Sequence, residues 1–227
     1  MVPFALLFDI DGVVLDNNDI HEEAWLEYAA RLGKNLTAEE FYQFIGGTNE
    51  DILEKLFPGI MTLDEKLNHG ELKEALYRDM FLPHFEIARG LRPLLENAKA
   101  SGAGTALASN GPVSNVAFAM EKGNLFPLID MAVSAYQVGK PKPAPDVYFK
   151  AMELIGATPE TSIIFEDSKT GLQAAQQTGC IVVGITTTLS KAEMDGRADY
   201  AIDSFEEIDI AWVQRVLLSG KSKPLAW

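Results

Sequence analysis

Four short, unbroken apolar runs punctuate the chain: residues 4–8 (FALLF), 105–108 (TALA), 162–165 (SIIF) and 181–185 (IVVGI). Runs of that length without polar alternation predict parallel strands covered on both faces. Helical patterns lie between them, at about 91–101, 112–122, 146–155 and 168–178. Weaker strands are expected near 129–133 and 199–202, and residues 205–218 read as a closing amphipathic helix. Strand and helix in alternation predict an α/β fold built on a doubly wound parallel sheet.

Residues 19–83 break this rhythm. They carry helical patterns at 20–32, 38–45, 49–56 and 63–81 and no strand pattern. In EEAWLEYAARL, Trp25, Tyr28, Ala29 and Leu32 recur at helical spacing, which predicts a packed bundle face. An inserted all-helical domain over 17–83 is therefore expected, with a core domain of 1–16 and 84–227. The segments near 15–19 and 83–90 would serve as its hinge.

Composition narrows the function. Of the 227 residues 47% are apolar and 23% charged, as in an ordinary soluble globular protein. The balance of 19 basic against 33 acidic residues, −14, repels polyanions, so no nucleic acid partner is expected. Small phosphate esters are less excluded, because a bound divalent cation and a few placed donors reverse the local field. No apolar stretch reaches about 18 residues, so no membrane span is expected. The opening MVPFALLFDID reads as a buried strand rather than a signal peptide. A single cysteine, Cys180, precludes an internal disulfide and fits a reducing, cytoplasmic setting. It reads as a small buried apolar residue rather than a nucleophile. A monomer or weak homodimer is expected.

The candidate chemistry lies at the ends of the apolar runs. FALLF ends in Asp9-Ile10-Asp11-Gly12, TALA in Ser109-Asn110-Gly111, and SIIF in Glu166-Asp167-Ser168; GKPKPAPD precedes the helix at 146. Open α/β sheets bind ligands outside the carboxyl ends of their strands, so these groups are expected to converge on one crevice. In extended backbone residues i and i+2 point the same way, so Asp9 and Asp11 can reach one substrate, and Gly12 lets the chain turn behind them. Two such carboxylates favour a cation between them or a proton on one. With Asp167 as a further oxygen ligand, the set suits Mg²⁺ better than zinc. His69 and His84 have no metal-ligand spacing.

FDIDGVVLDNNDIHEEAW resembles the first motif of the haloacid dehalogenase-like hydrolases, in the branch of β-phosphoglucomutase and sugar-phosphate phosphatases. Ser109 in ALASNGP, KPAPDVY at 142–148 and IIFEDSKTGLQAA at 163–175 match its later motifs in order. The resemblance implies a Rossmann-like core with a helical cap at the 19–83 insertion. It implies Asp9 as nucleophile and Asp11 as general acid and base. Mg²⁺ would be held by Asp9, the Asp11 backbone carbonyl and Asp167, with Glu166 a ligand or an orienting group. Ser109 and Lys142 would stabilise phosphoryl charge; the spacing to Asp146-Val147-Tyr148 favours Lys142 over Lys140. The substrate would be a small phosphorylated metabolite, contacted by Asn17, His21, Gly47, Thr48, Asn49 and Asn110.

True β-phosphoglucomutases carry an arginine where this chain has Asn49, gripping the substrate's second phosphate. Its absence favours a sugar-phosphate phosphatase over the alternative, a sugar-phosphate mutase; Lys55, Lys73 and Arg78 are the candidates for replacing it. A haloacid dehalogenase needs no acid two residues after its nucleophile, so Asp11 argues against that activity. A receiver module of about 120 residues would lack the insertion. Gly171 and Gly179 read as structural, near the start and at the end of one helix.

Overall fold

A computed structural model describes residues 2–44 and 47–220; Ile45 and Gly46, within the segment expected to read substrate, lie outside them. Contacts divide the chain into two compact units, Asn17–Phe85 and the remainder. Strand β1 (Ala5–Phe8) belongs to the larger unit. The smaller unit comes next as α1 (Asn18–Arg31), α2 (Ala38–Phe41), α3 (Asn49–Leu56) and α4 (Leu63–Phe81), ending on a 3-10 turn at Leu82–His84. The larger unit resumes as α5 (Leu91–Ala100), β2 (Gly104–Ser109), α6 (Val113–Lys122), β3 (Met131–Ser134) and α7 (Asp146–Ile155). Then come β4 (Ser162–Glu166), α8 (Lys169–Thr178), β5 (Ile181–Ile185), α9 (Lys191–Met194), β6 (Tyr200–Ile202) and α10 (Ile210–Ser219).

All six strands are parallel, in the order β3-β2-β1-β4-β5-β6. Successive strands step from β1 to one side and then, at β4, to the other. The switch point therefore lies between β1 and β4, where such sheets open a crevice. Phe8 pairs with Leu107 on β2 and Phe165 on β4. That register sets Asp9, Ser109 and Glu166 at the same carboxyl edge.

Both faces are buried, as the continuous apolar runs require. On one, the Phe8 and Phe165 rings stack at 4.8 Å with Phe205 against them. The other holds Leu7, Ala106, Ile164 and Val182 with Tyr148, Met152 and Leu172 from α7 and α8. Cys180 is buried there, its Sγ 3.6 Å from the Met152 sulfur.

An acid precedes each edge strand and pins its neighbour. Asp130 accepts from the Thr105 amide at 2.9 Å and Asp199 from the Val182 amide at 2.8 Å. The closing helix differs from the expected 205–218. Phe205–Glu207 is a separate 3-10 turn, because Asp209 accepts the Trp212 amide at 2.7 Å and starts α10 afresh. Helix α9, not anticipated, is one turn set by a Ser190/Glu193 capping box.

The smaller unit packs around Trp25, Phe41, Ile52, Leu53 and Leu56. Its helices α2, α3 and α4 start on the capping boxes Thr37/Glu40, Thr48/Asp51 and Thr62/Glu65. Among the described residues no helix is long and apolar enough to cross a membrane.

Candidate active site

Asp9 comes directly after the last residue of β1, its amide donating to the Phe165 carbonyl at 3.1 Å. Continuing the ladder by one bond fixes its backbone against β4 before the chain turns away. The turn is made at Gly12, with φ +77°, and Leu15 returns to bridge Asp11.

Lys142 is the centre of the cluster. It is 3% exposed, and its Nζ donates to Asp9 Oδ1 at 2.7 Å and to Glu166 Oε1 at 2.6 Å. The Tyr148 hydroxyl donates to the same Glu166 oxygen at 2.6 Å, and its ring lies 4.7 Å from the Lys142 ammonium. The other Glu166 oxygen accepts from the Asp167 amide at 3.1 Å. Both Glu166 oxygens are thus engaged. A Cβ on Gly171 would stand 2.0 Å from that carboxyl group, so the first turn of helix α8 needs glycine at this position to leave Glu166 room. Lys140 is exposed.

Asn110 was expected to touch substrate. Its amide holds the lysine loop: Oδ1 accepts from the Lys142 amide at 2.8 Å and Nδ2 donates to the Lys142 carbonyl at 3.2 Å. Ser109 Oγ accepts the Gly111 amide at 2.9 Å, and Asp11 Oδ2 lies 3.8 Å from where a Gly111 Cβ would stand. Ser109 and Asp11 therefore flank the same backbone turn.

Asp9, Glu166 and Asp167 each offer a carboxylate oxygen, all within 4.8 Å of one another. Burial raises the Asp9 carboxyl well above the usual range; Lys142 opposes this, while Glu166, Asp167 and Asp11 add to it. Burial acts to lower Lys142, but the Asp9 and Glu166 carboxylates outweigh it, raise its pKa and keep it an ammonium. One buried cation faces several acids. That deficit of positive charge and the all-oxygen donor set fit a hard divalent cation.

Three contributors were missed in the sequence. The Thr188 hydroxyl donates to Asp167 Oδ2, and Thr187 donates to the Gly12 carbonyl at 2.5 Å. Both come after β5, so the strand-end rule that found Asp9 and Glu166 applied to them too. Tyr148 lay inside a quoted motif, but an aromatic on an amphipathic helix reads as core.

The remaining predicted residues belong to the smaller unit. Asn17 is buried and donates to the Tyr77 hydroxyl at 2.5 Å. His21 stacks on Tyr77 at 3.7 Å, with Nδ1 3.1 Å from Lys73 Nζ. Gly47 (φ +99°) leads into α3, Thr48 caps it, and Asn49 is buried, its Cβ 3.0 Å from where a Gly70 Cβ would stand.

Residues 6–185 match the family described as haloacid dehalogenase-like hydrolase, and the chain belongs to that family. A phosphorylated carbohydrates phosphatase of Thermotoga maritima is 28% identical over 86% of this chain and 88% of its own. Hexitol phosphatase A of Escherichia coli is 27% identical, covering 91% and 93%. A crystal structure of a haloacid dehalogenase-family hydrolase from Entamoeba histolytica superposes with a TM-score of 0.85 at 28% identity, covering 95% and 99%.

Proposed function

We propose that the protein is a phosphatase that hydrolyses a small organic phosphate monoester, a sugar or polyol phosphate, through a phosphoryl-aspartate at Asp9. The observation that carries this reading is the Asp9–Lys142–Glu166 chain at the sheet's switch point, with Asp167 beside it. The similarity to two phosphatases of phosphorylated carbohydrates and hexitols supports the substrate class.

In the first step an Asp9 carboxylate oxygen attacks phosphorus and the ester oxygen leaves, taking a proton from Asp11. In the second, Asp11 takes a proton from water, whose oxygen attacks the same phosphorus and frees Asp9 and inorganic phosphate. Lys142, kept cationic by its two carboxylate partners, and the Ser109 hydroxyl stabilise charge on the equatorial phosphoryl oxygens. Glu166, with both oxygens engaged, orients Lys142 rather than binding metal. Mg²⁺, held by Asp9, the Asp11 carbonyl and Asp167, would supply positive charge to the transferring group.

Inorganic phosphate release with Mg²⁺, measured across sugar, polyol, glycolate and nucleoside monophosphates, tests the proposal. Release from at least one sugar or polyol phosphate, abolished in Asp9→Asn, is the expected result. Failure on every ester by pure, Mg²⁺-supplied protein contradicts it.

A further inference from the structure

Strand β5 leaves the sheet into a turn of three consecutive threonines, Thr186, Thr187 and Thr188, set between the buried Ile185 and Leu189. Their hydroxyls go to three different places. Thr186 donates to the exposed Asp203, Oδ1 at 2.6 Å. Thr187 donates to the Gly12 carbonyl at 2.5 Å, and Thr188 donates to Asp167 Oδ2. Neighbours along an extended strand point to opposite faces, so the turn is what lets both of the last two hydroxyls reach the carboxyl edge of β1 and β4. Thr187 Oγ1 also lies 3.5 Å from Asp167 Oδ2, but its single proton goes to the shorter bond. The hydroxyl that serves Asp167 is that of Thr188.

The two bonds bear on both halves of the oxygen set assigned above to the cation. Asp167 supplies a carboxylate, and Thr188 fixes which way that carboxylate faces. The other half is the turn behind Asp9, where the Gly12 amide donates to the Leu15 carbonyl at 2.7 Å. In a planar trans peptide the carbonyl points opposite its amide N–H, so this bond sets the direction of the Asp11 carbonyl. Thr187 holds the next carbonyl, that of Gly12, so two successive peptide planes are fastened. The threonine turn is itself anchored. The Thr186 amide continues the ladder to the Ile202 carbonyl at 3.1 Å, and Leu189 packs into the core.

We infer that Thr187 and Thr188 are positioning residues for the divalent cation, setting its affinity and the preference for Mg²⁺ over Ca²⁺. The inference rests on the phosphatase reading with its metal assignment, and gives a role to two residues outside the ligand set. Partners that orient a ligating group commonly carry about 10- to 100-fold in metal affinity or activity. Mg²⁺ demands a regular, unyielding set of oxygens, whereas Ca²⁺ accepts a looser one. A carboxylate and a carbonyl fastened in this way favour the smaller ion; once released, they penalise it more than the larger. Both threonines are exposed, so replacing either opens no cavity in the core.

The test is thermal unfolding of the substrate-free protein titrated with MgCl₂ and, separately, with CaCl₂, which reads cation affinity from the rise in Tm. Thr188→Val keeps the side chain's shape and removes its hydroxyl. It should weaken Mg²⁺ binding by about tenfold or more, and Ca²⁺ binding by clearly less. Thr187→Val should move Mg²⁺ affinity in the same direction. Thr188→Ser restores the donor and should return both affinities to near those of the parent. Thr186→Val, whose lost hydroxyl served Asp203, should leave them unchanged. In phosphate-release assays the Mg²⁺ concentration for half-maximal rate should rise in parallel in Thr188→Val, while KM for the ester at saturating Mg²⁺ holds. Should Thr188→Val fail to fold by circular dichroism, Thr188→Ala carries the same test. Mg²⁺ affinity within about threefold of the parent in the folded Thr188 variant, equal loss of Mg²⁺ and Ca²⁺ affinity, or the same loss from Thr186→Val overturns the inference. A parent protein whose Tm does not respond to Mg²⁺ contradicts the metal assignment itself, and with it the reading on which the inference rests.

Discussion

Lys142 occupies the position on which most of the site's electrostatics depends. Its ammonium separates two carboxylates that would otherwise be buried with like charge beside them. Lys142→Met removes that cation while leaving Glu166 fully buried. The variant should lose about 3–5 kcal/mol of stability in urea unfolding, along with turnover. Gly171→Ala is a sharper probe, because it touches no substrate. Its methyl group would displace the Glu166 carboxyl and, through it, the ammonium. A fall in kcat of about 10- to 100-fold with KM little changed is expected, since small misplacements of a catalytic group cost that much. Unchanged kcat in a folded Gly171→Ala protein would show that Glu166 does not position Lys142. The site's acids and serine were visible because an apolar run has a visible end, and the polar residues just beyond that end sit at the sheet's rim; Lys142 was found by its place before the helix at 146. The contacts between them were not visible. Nothing in KTGLQAA announces that Gly171 clears space for a residue five positions earlier.

At the scale of elements, β1, β2, β4 and β5 were legible because a strand buried on both faces leaves no polar alternation. The edge strands β3 and β6 gave weaker patterns, and the structure shows what secures them: Asp130 and Asp199 bond across to the adjacent strand. Burial acts against the Asp130 charge, but bonds from Lys99 and from the Thr105 amide and hydroxyl outweigh it and lower its pKa. A carboxylate depressed on folding contributes stability in full above its unfolded value, and loses it as pH falls through the folded one. Asp130→Asn should therefore lower Tm at pH 7, by the equivalent of about 1 kcal/mol for the weakened bonds. The difference from the parent protein should shrink in melts below about pH 4, where the parent's own carboxyl becomes protonated. A constant difference from pH 7 to pH 3 would contradict this account. The last helix was misread for a local reason: Asp209 interrupts a continuous amphipathic pattern by capping a new start, which periodicity alone does not detect.

For the whole molecule, the interruption of alternating strand and helix by residues 19–83 was the plainest signal in the chain, and the structure resolves it as a helical unit with its own apolar core. The buried Lys73–Glu74 ion pair inside that unit is not specified by sequence spacing. Negative charge is concentrated at the sheet, where Asp9, Glu166 and Asp167 crowd together. Removing divalent cations with EDTA should abolish phosphate release and MgCl₂ should restore it. Added Mg²⁺ should also raise Tm, because a cation bound only by the folded state stabilises it. Activity that survives exhaustive chelation would contradict the assignment of Asp9 and Asp167 as ligands. The most direct measurement is peptide mass spectrometry of protein quenched in acid during turnover. A phosphoryl group on Asp9, absent from the Asp9→Asn protein, is the predicted result. Full turnover by Asp9→Asn, or steady turnover in which Asp9 never carries phosphate, would contradict the account.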